Sequence, residues 1–225
     1  MNLALVLGPD PARLHELSTR LEGLGLVVNT CSDATELSGY PASPRVVVWD
    51  LGLPRASAAR VPAAVRAAPI HLRISPLGNA IPDIESHPAS SIAESDLLQA
   101  LLNAGYCLPD DSECAAIPSV LHGLVDGDSA VVAELIDSLT DTGLADLAAY
   151  RVCCADQDWT GAGTLAHRIK GTARLAGCAS LTQLCEHVEA VTRNGHGAQV
   201  ERLNTLFEPS LQRLCNQLHR LQQAR

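Results

Sequence analysis

The sequence is poor in lysine, in aromatic residues and in long apolar runs. Of the 16 basic residues in the chain of 225, Lys170 is the single lysine, and only 3% of all residues are aromatic. So few aromatic side chains leave no stacking platform for single-stranded nucleic acid or for sugars. The formal net charge of −9 is opposite to the basic surface that nucleic-acid-binding proteins present. We therefore expect no nucleic-acid partner.

The apolar runs are short. The run that ends at Trp49 is only a handful of residues long, far below the roughly 20 residues that a membrane-spanning helix needs. The N-terminal segment has neither the basic residues nor the long apolar stretch of a signal peptide. We therefore expect a cytoplasmic protein that does not contact the membrane, or the cytoplasmic portion of a larger protein.

Cysteine is more frequent than lysine, but the spacing of the cysteines favours neither a metal site nor a disulfide. The eight cysteines include no C-x-x-C motif, which zinc and redox sites usually carry. Cys154 and Cys185 fall on apolar stripes of predicted helices, where a free thiol packs as a small hydrophobic residue. The chain is also long enough for two domains that each bury their own core.

Residues 1–104 alternate short apolar strands with helices. The pattern predicts strands at 3–7, 26–30, 45–49, 70–74 and 81–86, and helices at 11–24, 34–39, 56–67 and 91–105. This alternation is typical of an α/β doubly wound, flavodoxin-like domain, in which a parallel sheet is covered on both faces. Any functional site of such a domain lies at the carboxyl ends of its strands.

Residues 116–225 have no strand signal and follow a Pro- and Asp-containing linker at 105–115. Four apolar stripes with spacings of three and four residues predict four long helices, preceded by a short one at 117–125. We expect Asp158 to cap the second long helix and Gly177 to end it, and Pro209 to kink the fourth. Short connections between such helices predict an antiparallel four-helix bundle.

One histidine of the second long helix falls on the wrong face for a core residue. His167 precedes the apolar Ile169 by two residues, so it points about 200° away from the apolar stripe. Its neighbours on the outer face, one or two turns away, are Gly163, Lys170, Gly171 and Arg174. Glycine weakens an exposed helix by about 1 kcal/mol relative to alanine, so two glycines there indicate a need for space. An exposed imidazole with a nearby cation and clear space is suited to be a nucleophile for a phosphoryl group.

The run from Leu165 to Gly177, LAHRIKGTARLAG, followed by Leu181, Cys185 and Glu189, resembles the signature of histidine-containing phosphotransfer (HPt) domains. The resemblance covers about 110 residues, and the family's fold is a four-helix bundle. It implies that His167 accepts a phosphoryl group from a receiver aspartyl phosphate and passes it to another receiver.

The same resemblance implies roles for the neighbours of His167. Lys170 would offset phosphoryl charge and Gly171 would leave room for it, whereas Gly163, Arg168 and Arg174 would contribute to docking or to the local charge. The partners would be response-regulator receiver domains and a sensor histidine kinase. The chain would need no cofactor of its own, because Mg²⁺ would be held by the partner receiver.

The N-terminal half resembles a response-regulator receiver domain. The segment Trp49–Asp50 through Pro54 places an aspartate at the end of a buried strand, with a proline four residues later, as at the family's phosphoacceptor. The metal-binding acidic pair of receivers is replaced by Gly8-Pro9, with Asp10 as the only nearby acid. Without those ligands, a dication cannot neutralise charge during transfer.

Other positions of the N-terminal half also depart from the receiver pattern. His87 would stand where receivers have a lysine, only Ser75 could supply the hydroxyl after the fourth strand, and there is no room for a helix between 75 and 81. We therefore interpret residues 1–104 as a degenerate receiver lacking one helix. Asp50 is a candidate phosphoacceptor, but for this domain a role in regulation or docking is favoured over phosphorylation.

A scaffold and a hydrolase are two alternatives to a phosphorelay intermediate. Both halves could be inactive copies, which would make the chain a scaffold or regulatory binding module. A hydrolase using Cys185 and His187 is disfavoured, because side chains two residues apart on a helix diverge. No phosphate-binding loop of nucleotide-binding proteins is present, so the chain is not expected to be a kinase by itself.

Overall fold

The computed structural model describes residues 2–32, 37, 43–50, 61–74, 87–89 and 92–224. It divides into two compact units, Met1–Tyr106 and Cys107–Arg225, with the boundary inside the predicted linker. The first unit is α/β and the second is all helical. The two-domain fold class predicted from the sequence is thus confirmed.

The N-terminal unit is built on a five-stranded sheet of order β2-β1-β3-β4-β5, in which all described pairs are parallel. This is the flavodoxin-like order. The strands are β1 Leu3–Leu7, β2 Val27–Cys31, β3 Val46–Asp50, β4 Ile70–Ile74 and β5 His87–Ala89, and the described helices are α1 Pro11–Gly23, α2 Ala63–Arg66 and α3 Glu94–Asn103.

The two central strands bring their carboxyl ends together. Every residue of β1 and of β3 is buried, as expected for apolar strands covered on both faces. Leu7 at the end of β1 pairs with Trp49 on β3. Gly8, which follows β1, and Asp50, the last residue of β3, therefore lie side by side at the edge of the sheet where sites form in this fold.

The last strand of the sheet, His87–Ala89, is one that the sequence pattern does not predict. His87 therefore begins this strand, and the predicted strand at 81–86 lies outside the described residues. Several predicted features lie outside the described residues. They are the helix at 34–39 except for residue 37, the first half of the helix at 56–67, Ser75, and the segment after Ser75 that is expected to lack a helix.

The C-terminal unit consists of five helices. They are α4 Asp111–Leu124, α5 Ser129–Ala155, α6 Trp159–Leu175, α7 Ala179–Arg193 and α8 Gly197–Gln223. The four long helices α5 to α8 are joined by three-residue connections and each packs on two neighbours, α5 on α6 and α8, and α7 on α6 and α8. Such short connections reverse the chain direction, which gives an antiparallel four-helix bundle.

Helix α4 starts earlier than the sequence pattern suggests, inside the predicted linker 105–115. A capping box stabilises its start: the Asp110 carboxylate accepts from the Glu113 amide at 2.8 Å, and Glu113 accepts from the Asp110 amide at 3.0 Å. Glu113 also accepts a hydrogen bond from the Ser180 amide at 2.8 Å. It thereby caps α7 from another helix, where the N-cap residue Cys178 makes no side-chain cap.

The helix ends of the bundle follow the expected signals. Asp158 caps α6 by accepting from the Gly161 amide at 2.9 Å. Gly177 and Gly195, with φ of +73° and +72°, follow α6 and α7 in the left-handed conformation that glycine favours. Helix α8 continues through Pro209. No described helix is long and apolar enough to cross a membrane.

Candidate functional site

Helix α6 carries His167 on its exposed face. The buried side of α6 is formed by Ala162, Leu165, Ala166, Ile169, Thr172 and Ala173. The His167 side chain is 70% exposed, so the structure places it where the spacing of the apolar residues predicts. An imidazole in this position can be reached by another protein.

Glu189 on α7 joins His167 to Lys170. One carboxylate oxygen, Oε2, lies 3.3 Å from Nδ1 of His167, and the other, Oε1, lies 2.6 Å from the ammonium nitrogen of Lys170. Burial alone would raise the pKa of Glu189, but its contacts with Lys170 and His167 outweigh this effect and lower the pKa. Glu189 is therefore an anion held between two basic groups.

The contact with Glu189 determines which imidazole nitrogen can react. A carboxylate accepts hydrogen bonds, so it favours the tautomer of His167 that carries its proton on Nδ1. The lone pair then resides on Nε2. Because the side chain is mostly exposed, Nε2 is the nitrogen available to an electrophile.

Lys170, which the resemblance implies would offset phosphoryl charge, is held by an acid of the bundle. Its side chain is only 13% exposed, and its charge is paired with Glu189. Lys170 thus compensates a carboxylate that would otherwise repel an incoming anion next to His167. A compact ammonium on a flexible stem can do this in a narrow space.

The two glycines on the outer face of α6, Gly171 and Gly163, have different surroundings. A Cβ on Gly171 would meet nothing within 4 Å, which agrees with the expected clearance near His167. A Cβ on Gly163 would collide with the Thr192 hydroxyl and lie 3.1 Å from the Thr192 Cβ. Gly163 therefore permits close packing of α6 against α7, a reason that differs from the predicted docking role.

Arg168 and Arg174 are both paired with acids. Arg168 lies 2.7 Å from Asp146 on α5, whose side chain is 1% exposed. Burial raises the pKa of Asp146, while the charge of Arg168 lowers it. Arg174 lies 2.7 Å from Glu186 on α7, where both side chains are about half exposed. The structure thus uses Arg168 to compensate a buried acid, and it leaves Arg174 on the surface.

A cavity of about 590 Å³ lies beside His167, and we call it the His167 cavity. Its walls come from the N-terminal half of α6 and the last turns of α7. The residues that line it are Thr160, Gly163, Thr164, His167, Glu189, Thr192 and Arg193. Thr192 and Arg193 were not identified from the sequence, since each belongs to the following helix and carries no motif of its own.

The other candidate, Asp50, lies in the N-terminal unit at the end of β3. It is 5% exposed, and Arg13 on α1 holds both of its oxygens, with Nε donating to Oδ2 at 2.8 Å and Nη2 donating to Oδ1 at 3.0 Å. This two-point ion pair was not predicted. Its sequence signal, an arginine in the first turn of a helix that follows β1, is too common to be specific.

The described residues beside Asp50 offer few ligands for a metal. A Cβ on Gly8 would lie 2.9 Å from the Cβ of Asp50, so a larger residue there would need the carboxylate to move. The nearest acid, Asp10, caps α1 by accepting from the Ala12 amide at 2.9 Å. Arg13 therefore supplies the positive charge at this strand end, and no cluster of three or more potential metal ligands occurs among the described residues.

The cysteines of the bundle are not arranged for catalysis. Cys185 is fully buried, and burial raises its pKa far above the ordinary value for a thiol. A raised pKa disfavours the thiolate, which is the nucleophilic form. All eight cysteines are free. These properties weaken the hydrolase alternative built on Cys185 and His187.

Comparison with known proteins gives a match for the bundle. A family model described as Hpt domain matches residues 129–224, which begin at the first residue of α5 and end just after α8. The match excludes α4 and the N-terminal unit and covers less than half of the chain. No curated protein and no solved structure matches the chain.

Proposed function

We propose that residues 129–224, which match the family model of the Hpt domain, act as a phosphorelay module that exchanges phosphoryl groups with response-regulator receivers, and that His167 is the phosphoacceptor. The observation that carries the proposal is the contact of His167 Nδ1 with Glu189 at 3.3 Å on an imidazole that is 70% exposed. One nitrogen is oriented by an anion and the other is open to a partner, as a histidine nucleophile requires.

The transfer step follows from this arrangement. The lone pair of His167 Nε2 forms a bond to the phosphorus of a receiver aspartyl phosphate. As the P–N bond forms, the P–O bond to the aspartate breaks, and its electron pair leaves with the aspartate carboxylate. The ring keeps its Nδ1 proton and becomes cationic, and Glu189 stabilises that charge. The reverse of these steps passes the phosphoryl group to a second receiver.

Lys170 enters this mechanism through Glu189. The pair of Lys170 and Glu189, with charged atoms 2.6 Å apart, is neutral overall, so Glu189 can orient the imidazole without adding net negative charge near the phosphoryl group. Removing either partner would leave the other charge uncompensated in a half-buried position, which is costly.

We further propose that the N-terminal unit is a regulatory or docking domain that is not itself phosphorylated. The support is the two-point contact of Arg13 with Asp50 and the absence of space beside Gly8. The partner receivers would hold the Mg²⁺ that transfer from an aspartate requires, and a sensor histidine kinase would supply the first phosphoryl group.

The test uses the full chain and a panel of receivers carrying labelled phosphate. Wild-type protein is expected to take up acid-labile, base-stable label, and His167→Gln is expected to take up none. His219→Gln changes another exposed histidine of the same bundle and serves as the matched control, which should label normally.

A wild-type chain that stays unlabelled, while a known Hpt domain is labelled by the same receivers, would contradict the proposal. That result would favour a scaffold that binds receivers without exchanging phosphate. Label that persists in His167→Gln would place the phosphoacceptor elsewhere.

A further inference from the structure

The cations near His167 are not equivalent. Lys170, Arg168 and Arg174 are paired with Glu189, Asp146 and Glu186, respectively, at 2.6 to 2.7 Å. None of these three lines the His167 cavity. The basic side chains that the sequence brings close to His167 are therefore engaged with acids of the bundle itself.

Arg193 differs from these three residues both in its position and in its pairing. It lines the His167 cavity, and it has no carboxylate partner among the residues that the structure describes. Its Nε donates to the backbone oxygen of Glu189 at 3.1 Å. This bond fixes the base of the guanidinium and leaves the two terminal nitrogens to bind an anion in the fork geometry that suits phosphate.

Two of the three threonine hydroxyls that line the cavity do not replace this donor. The Thr164 hydroxyl donates to the Thr160 carbonyl at 3.1 Å, and the Thr192 hydroxyl donates to the carbonyls of Val188 and Glu189 at 3.0 Å. A hydroxyl has one proton, so these two are committed to the backbone. They present lone pairs to the cavity, which an anion would not bind.

The charge balance of the site requires a further cation. His167 in its neutral form, Glu189 and Lys170 together carry no net charge. A phosphoryl group of the kind found on modified side chains brings a charge of about −1.5 to −2. The group would form on Nε2, since Nδ1 faces the Glu189 carboxylate. The ring, which becomes cationic, would offset only part of the group's charge, and the rest would lack a partner within the cluster.

We propose that Arg193 is the phosphate-binding cation of this site and that the His167 cavity receives the phosphoryl group, with the terminal guanidinium nitrogens of Arg193 donating to the phosphoryl oxygens. The inference rests on the proposed role of His167. It assigns direct contact with the reacting group to Arg193, and to Lys170 the task of neutralising Glu189.

The experiment separates contact with the phosphoryl group from contact with a partner protein. The full chain is phosphorylated either by a labelled receiver or by phosphoramidate, a small donor that needs no docking surface. The variants are Arg193→Ala and Arg193→Lys. Arg202→Ala, which removes an exposed arginine of α8 outside the cavity, is the matched control.

We expect Arg193→Ala to slow labelling by both donors about tenfold or more, as loss of a charge-assisted contact should. Arg193→Lys should recover part of the rate, and Arg202→Ala should leave it unchanged. The half-life of the phosphohistidine should also change in Arg193→Ala. Arg193→Lys keeps the test valid if the alanine variant is unstable.

Two results would overturn the inference while leaving the proposed function intact. The first is wild-type labelling together with rates in Arg193→Ala that stay within twofold for both donors. The second is a loss confined to the receiver reaction, which would make Arg193 a docking residue. A wild-type chain that neither donor labels would contradict the proposed function itself, and this inference with it.

Discussion

The ammonium of Lys170 lies 2.6 Å from a carboxylate oxygen of Glu189, so the only lysine of the chain is bound to an acid on the neighbouring helix. The second oxygen of the same carboxylate contacts His167. Through Glu189, the charge of Lys170 is thus linked to the orientation of the His167 imidazole. This link predicts how the protein responds to substitution of each of these three residues.

Lys170→Arg is expected to slow phosphotransfer even though it keeps the charge. A guanidinium can bind both oxygens of a carboxylate, so it would draw Glu189 away from His167, and the 13% exposed side chain leaves little space for the larger group. Rates of labelling by a phosphorylated receiver measure the effect. A rate equal to that of the wild type would show that the lysine has no special role.

Glu189→Ala is expected to reduce the rate by about tenfold to a hundredfold, as happens when a partner that orients a metal-ligating histidine is lost. The imidazole would lose its fixed tautomer, and Lys170 would lose its counter-charge. Glu186→Ala, at an exposed acid one turn earlier on α7 that pairs with Arg174, is the matched control. Equal rates in both variants would contradict the assigned role of Glu189.

Gly171→Ala and Gly163→Ala should have opposite effects on stability. A Cβ at 171 meets open space, so alanine should stabilise the exposed helix by about 0.5–1 kcal/mol while slowing transfer between proteins. A Cβ at 163 collides with Thr192, and overpacking should destabilise by about 1–3 kcal/mol. Denaturant titration measures both changes, and effects of the same sign would contradict this account of the two glycines.

The N-terminal unit should not be labelled at Asp50 by Mg²⁺ and a small phosphodonor, because Arg13 occupies both carboxylate oxygens. Arg13→Ala should lower the stability of this unit by about 1–3 kcal/mol, since a buried carboxylate would lose its partner. Mass spectrometry and denaturant titration are the measurements. Stoichiometric label that disappears in Asp50→Ala would restore the receiver interpretation.

His71 should make the stability of the N-terminal unit depend on pH. It is 6% exposed, it accepts from the Trp49 indole at 3.2 Å, and burial lowers its pKa below the ordinary 6.5 despite two backbone contacts. The unfolded state then binds the proton more readily, so stability should fall as pH drops below about 6.5. Denaturant titrations at pH 5.5 and 7.5 followed by tryptophan fluorescence test this, and His71→Gln should lose the dependence.

The sequence predicts most of the helices and strands because each has a local signal. The first strand is found at its predicted bounds, and Asp158 caps α6 as expected. The start of α4 lies inside the predicted linker although Asp110 and Glu113 have the local spacing of a capping box. Only the contact of Glu113 with Ser180 is with a distant residue, and such a contact does not show in a local pattern.

In the candidate site, too, the features with a local signal can be predicted and those that depend on distant residues cannot. The exposed position of His167 depends on helical spacing alone and could be predicted. The pairing of Lys170 with Glu189, of Arg168 with Asp146 and of Arg13 with Asp50 depends on neighbouring elements, so the sequence indicates the charges but not their partners. The reason for Gly163 likewise lies on another helix.

The most direct measurement for the central claim is the transfer of labelled phosphate from receivers to the wild-type chain, with His167→Gln and His219→Gln measured in parallel. The account predicts acid-labile label on the wild type and on His219→Gln, and none on His167→Gln. Equal labelling of His167→Gln and the wild type, or no label on any of the three when a known Hpt domain is labelled, would contradict it.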